Sequence, residues 1–174
     1  MARKQRIYLA GPGVFFPDPA GWGRRLIVAC DQAGMEGLYP LDQAAPPGLD
    51  AIALRGWIYR INCQLIRDAD AVFADLRAFR SACEPDSGTA WEVGFAHALG
   101  KPVWGWLPDC TPGQVMTQRI PGVAGQPPVA PDGLYVEDFG APLNLMLWES
   151  LAGISYAGEP EEALQDMARD LCFT

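Results

Sequence analysis

The chain reads as an α/β protein with a doubly wound, five-stranded parallel sheet flanked by helices, of flavodoxin-like or Rossmann-like type. Three observations predict this. Short apolar runs alternate with longer runs of helical periodicity, the order that parallel sheets with right-handed crossovers produce. The run Ala71-Val72-Phe73-Ala74-Asp75-Leu76 is nearly all apolar, as a strand covered on both faces should be. Acidic residues follow or end successive strands, on the side where such sheets bind ligands.

Taken in order, residues 7–10 (Ile-Tyr-Leu-Ala) form a short interior strand closed by Gly11-Pro12-Gly13. The next loop, Val14-Phe15-Phe16-Pro17-Asp18, is unusually aromatic for a connection. It lacks the third glycine of a dinucleotide fingerprint, so a Rossmann cofactor site is a weak match. Phe15 and Phe16 suit stacking on a planar ligand, or one of them belongs to the core. Residues 22–33 carry apolar side chains at helical spacing, and Gly34 is a natural stop. Residues 37–41 read as a second strand with Asp42 and Gln43 at its tip.

A long helix follows over residues 49–67, where Ile52, Leu54, Trp57, Ile58, Ile61, Leu65 and Ile66 suit one buried stripe. The third strand covers 71–76. A Pro-Asp-Ser-Gly turn then opens a helix on Thr89 or just before it, ending at Gly100-Lys101-Pro102. The fourth strand is 103–106. Residues 107–132 are rich in proline and glycine, which fits a flap over a site or a structural loop. A fifth strand is expected at 134–136, a further helix from 143, and an amphipathic last helix over 159–172. The 174 residues, without repeats or a linker, suit one domain spanning 1–174.

A net charge of −8 argues against sequence-independent binding to nucleic acid or to an anionic membrane surface, and favours a neutral or cationic small ligand. The five cysteines are scattered and form no Cys-x-x-Cys pair. A zinc site or disulfide framework is therefore not expected, and a reducing cytoplasm is the simpler setting. The basic start is followed by too short an apolar run for a signal peptide, and no stretch approaches membrane-spanning length.

The chemistry concentrates in Glu84-Pro85-Asp86-Ser87-Gly88-Thr89-Ala90-Trp91-Glu92-Val93-Gly94-Phe95. Thr89-x-x-Glu92 fits a capping box, an ordinary structural device. Asp86 and Asp75 nevertheless belong to the same end of the sheet, and three carboxylates at one mouth ask for more than a cap. Carboxylates in an aromatic-lined mouth, without a His/Cys metal set, suit cleavage of a glycosidic bond through a cationic transition state. His97 lies off the face of Glu92 by helical spacing, which argues against a catalytic role.

Four blocks resemble the nucleoside 2-deoxyribosyltransferase family: Tyr8-Leu9-Ala10-Gly11-Pro12, Asp70 through Leu76, Glu84 through Gly94, and Asn144-Leu145-Met146-Leu147. They fall in order between about residues 7 and 147. The resemblance implies an enzyme that passes a 2-deoxyribosyl group between nucleobases, without cofactor or metal. It implies Glu92 as nucleophile, Tyr8 as the group orienting it, and Asp75 as the acid and base serving the nucleobase. Asp86 would bind the sugar hydroxyl or base edge, Asp42 and Gln43 would lie near the base, and Gly11 would belong to the site. Asn144 would reach a neighbouring subunit's sugar in a dimer or hexamer. The rival reading is a hydrolase of the same superfamily acting on a nucleoside or a nucleoside 5-monophosphate. The first loop, Gly-Pro-Gly-Val-Phe-Phe-Pro-Asp, has no basic residue for a phosphate, which favours a free nucleoside. A non-catalytic nucleotide sensor fits less well, because Tyr8, Asp75, Asp86 and Glu92 are all present.

Overall fold

The computed structural model describes residues 3–171. Five parallel strands, β1 (Arg6–Ala10), β2 (Glu36–Leu38), β3 (Ala71–Asp75), β4 (Val103–Trp106) and β5 (Gly153–Ser155), lie in the order β2-β1-β3-β4-β5. The chain runs outward from β1 to β2 and then crosses back to β3. The switch point therefore lies between β1 and β3, where open sheets of this kind bind ligands.

Side chains alternate across the sheet. Ile7, Leu9, Phe73, Trp104 and Trp106 pack with α1 (Pro19–Gln32) and α6 (Pro160–Asp170). Tyr8, Ala10, Val72, Ala74 and Val103 pack with α2 (Ala51–Asp68) and α3 (Ser87–Ala98). Short helices α4 (Met116–Arg119) and α5 (Leu145–Trp148) lie in the long connection from β4 to β5. Among the described residues no helix is long and apolar enough to cross a membrane.

The helix starts follow from their caps. Asp18 accepts from Gly21 N at 2.8 Å with Pro19 in the first turn, so α1 begins three residues before the apolar repeat that announces it. Asp50 accepts from Ala53 N at 2.8 Å and starts α2. Each such cap is worth about 1 kcal/mol. Strand β2 is shorter than expected because Tyr39 and Asp42 close a turn: Asp42 N donates to Tyr39 O and Tyr39 N to the Asp42 carboxylate, at 3.0 and 3.2 Å.

Two expectations are corrected. Residues 134–136 are not the fifth strand; Leu134 and Tyr135 are largely exposed, and Tyr135 forms an isolated antiparallel bridge with Val129. The edge strand is Gly-Ile-Ser at 153–155, inconspicuous because Gly153 must stay bare: a Cβ there would meet the Trp104 ring at 2.0 Å. The α2 stripe is not wholly core. Ile66 is buried, but Ile52 is 70% exposed, and Leu54, Trp57 and Ile58 face a cavity. Of the two readings left open for residues 107–132, the first part, around Asp109 and Arg119, is a packed structural loop, whereas 121–132 is mostly exposed. The buried Arg119 guanidinium donates to Pro142 O (2.8 Å) and Asp109 (3.1 Å), while Asp109 also accepts from Ala78 N. The last helix ends at Asp170; its expected extension to Cys172 lies outside the described residues.

Candidate active site

A cavity of about 490 Å³ opens at the switch point, a size suited to a small organic ligand. Its apolar wall comes from the loop after β1 (Val14, Phe15), the turn after β2 (Leu41) and the first half of α2 (Leu54, Trp57, Ile58). Its polar groups are Gln43, Asn62, Asp86, Thr89 and Glu92.

The start of α3 sets the geometry. Asp86 caps it, its Oδ2 accepting from Thr89 N at 2.9 Å and from Thr89 Oγ1 at 3.2 Å. This replaces the expected Thr89–Glu92 capping box and leaves the Glu92 carboxylate free for other partners. One turn further along, half-buried Glu92 meets β1. The Tyr8 hydroxyl donates to Glu92 Oε1 at 2.6 Å, and Asn62 Nδ2 donates to the same oxygen at 3.4 Å. Oε2 has no hydrogen-bond partner among the described residues.

Burial raises the Glu92 carboxyl from its ordinary 4.5 to about 7, with the Asp86 charge adding to it and the bonds from Tyr8 and Asn62 opposing. Burial and the Glu92 charge push the Tyr8 phenol far above its ordinary value, so Tyr8 stays a proton donor. Between 4.5 and about 7 the folded state binds the Glu92 proton more tightly than the unfolded chain, so stability falls as pH rises through that window. Glu92→Gln keeps an acceptor for Tyr8 without the charge. It is expected to stabilise the fold by roughly 1–3 kcal/mol above pH 7, a gain that disappears at low pH. Thermal melts of both proteins at pH 8 and pH 4 check this; equal melting temperatures at pH 8 would contradict it.

Asp75 lies at the same end of the sheet but on the other face, the one that carries Phe73. It is buried and does not line the cavity. Arg77 Nε and Nη2 reach its carboxylate at 2.9 Å, and the guanidinium stacks over Trp106, Phe16 and Trp22 at 4.8–5.6 Å. Burial raises the Asp75 carboxyl above the usual carboxylate range, Arg77 opposes it, and Asp109 adds a smaller push upward. The charged groups acting on it are Arg77 and Asp109. Gly11 explains how Asp75 comes so close to the cavity. Its φ is 152°, and a Cβ on it would stand 2.7 Å from Asp75 Cβ, so a side chain there would push the carboxylate away.

The remaining predicted residues divide. Phe15 is exposed at the cavity and stacks on Phe79, whereas Phe16 packs against Trp22. Gln43 lines the cavity; Asp42 does not, its carboxylate closing the Tyr39 turn. Asn144 caps α5, donates to Glu137 Oε1 at 2.5 Å, is half-buried and does not line the cavity. His97 is exposed. Among the described residues no three His, Cys, Asp or Glu side chains come together to hold a metal ion. Sequence reasoning missed Asn62 and Arg77.

The profile of the nucleoside 2-deoxyribosyltransferases matches residues 7–146. The chain belongs to this family. A solved 2-deoxyribosyltransferase of Leishmania mexicana is 32% identical and superposes with a TM-score of 0.72 over 95% of this chain and 98% of that one. A solved 2-deoxyribosyltransferase of Bacillus psychrosaccharolyticus shares the fold at 21% identity and TM-score 0.59, over 92% and 90% of the two chains. An uncharacterized protein of Schizosaccharomyces pombe is 33% identical over 108 residues, a match that covers 59% of this deoxyribosyltransferase-family chain and 50% of that relative. The chain thus spans about half the length of this curated relative. The α/β sheet expected from the sequence is the fold of the family.

Proposed function

We propose that the protein transfers a 2-deoxyribosyl group between nucleobases by double displacement, with Glu92 as the covalent nucleophile. The observation that carries this is the Glu92 carboxylate in the cavity, with Oε1 held by Tyr8 at 2.6 Å and Oε2 left unbonded. Oε2 attacks the anomeric carbon, the bond from carbon to nucleobase nitrogen breaks, and its electron pair leaves with the base. Asp75, which stands behind the bare Gly11 of the cavity wall rather than in the lining itself, is assigned the proton that the departing base takes up past that glycine. A second base then attacks the same carbon, the ester bond returns its electrons to Glu92, and Asp75 recovers its proton. Two inversions give net retention.

A deoxyribosyl cation forms more readily than a ribosyl one, because no 2-hydroxyl withdraws electrons from it. The apolar wall of Phe15, Leu54, Trp57 and Ile58 stacks on a base and keeps water from the sugar ester. Gln43 reads the base edge and Asp86 the sugar. Asn144 serves a neighbouring subunit's cavity in a homo-oligomer, a reading supported by its place outside its own.

Base exchange measured across the common deoxynucleosides, with ribonucleosides as controls, tests the activity. Exchange is expected with deoxynucleosides in the presence of an acceptor base, and little with ribonucleosides. Equal rates for the two sugars would overturn the deoxy preference. Equal loss of nucleoside with and without an acceptor base would instead identify a hydrolase.

A further inference from the structure

Asn62 lies on α2, one turn after Ile58, and lines the cavity beside Glu92. Its Nδ2 donates to Glu92 Oε1 at 3.4 Å, while its Oδ1 is buried and accepts no hydrogen bond. A buried carbonyl oxygen without a donor costs about 1–3 kcal/mol unless something supplies one, so an orphan in a native site asks for an explanation. Glu92, the group its amide already touches, fixes which part of a ligand stands nearby. A nucleophile that displaces the base of a β-nucleoside approaches from the opposite face of the sugar ring. In a 2-deoxy sugar that face carries one ring hydroxyl, on C3.

We infer that Asn62 is a specificity-determining residue whose Oδ1 accepts a hydrogen bond from the sugar 3-hydroxyl. The inference rests on the proposed function for the pose of the sugar. It gives Asn62 two tasks: Nδ2 donates to the same Glu92 oxygen as the Tyr8 hydroxyl, and Oδ1 holds the sugar on the attacked face. A site that offers a buried acceptor rejects a ligand lacking the donor, because the acceptor then stays unpaired.

The test compares kcat/KM for a 2-deoxynucleoside with that for its 2,3-dideoxy counterpart, in wild type and in Asn62→Leu and Asn62→Ala, with melting temperatures recorded for each. Loss of Nδ2 from Glu92 slows every substrate alike, so the ratio is the informative quantity. Wild type is expected to favour the 3-hydroxyl strongly, and either variant to shrink that preference by about tenfold or more. A second ratio, between two bases differing in one exocyclic amine, is expected to stay unchanged. If the sugar ratio holds and the base ratio moves, the acceptor serves the base and the inference is wrong. It is equally wrong if neither ratio moves.

Titrating the same sugar pair into Glu92→Gln and into Glu92→Gln with Asn62→Leu reads the preference without turnover. Absent exchange in wild type would count against the proposed function. An unchanged binding preference in the double variant would count against Asn62.

Discussion

Glu92→Ala is expected to lower base exchange by at least about 10³-fold, because it removes the atom that bonds to the sugar. The variant also leaves the buried Tyr8 hydroxyl without its 2.6 Å acceptor, a loss of about 1–3 kcal/mol in stability. Glu92→Gln separates the two effects, since it retains an acceptor and is expected to be as inactive as Ala while melting higher than wild type above pH 7. The wild-type kcat/KM should rise with pH through about 7, because the attacking carboxylate must be ionised and burial raises its pKa to that value. Glu92→Ala exchanging bases within a few fold of wild type would contradict the nucleophile assignment.

Asp75→Asn is expected to cost about 10²–10⁴-fold in exchange, the usual contribution of a positioned proton donor. The asparagine still accepts from Arg77, so the Arg77 stack on Trp106 and Phe16 should survive. The loss should depend on the leaving group. A nucleoside of an N7-methylated purine carries its positive charge already and departs without a proton from the protein. Asp75→Asn should therefore retain most of its rate with that substrate while remaining slow with the unmethylated purine. Equal losses on both would mean that Asp75 shapes the site without delivering a proton. Its place behind Gly11, on the face opposite Tyr8, makes this comparison decisive for its role.

The parts of the molecule legible in the sequence are those where local pattern and tertiary demand coincide. Strand β3 is apolar because both its faces are covered, and it reads so directly. Tyr8 and Glu92 were joined by resemblance, and the structure places them in contact across 84 residues. Asp86 was legible as a turn residue, yet its role as the α3 cap displaced the Thr89–Glu92 box, since spacing alone cannot say which of two oxygens reaches the first free N–H.

The misses have physical causes. Strand β5 hides behind Gly153, which is bare to admit the Trp104 ring. Residues 134–136 carry strand-type side chains on an exposed loop, where β-propensity has no sheet to act on. The apolar stripe of α2 reads as core by periodicity, but a cavity wall has the same periodicity as a core face. Asn62 did leave a signal: an amide four residues after Ile58 stands on that apolar face and needs a partner. Arg77 left none, because its pairing with Asp75 and three aromatic rings depends on how α1, β3 and β4 come together.

The most direct test is mass spectrometry of protein quenched during turnover of a deoxynucleoside, followed by peptide mapping. A 2-deoxyribosyl adduct is expected on the peptide carrying Glu92, absent from Glu92→Gln and discharged when an acceptor base is added. An adduct on another side chain, or rapid exchange with no adduct at any quench time, would contradict the account.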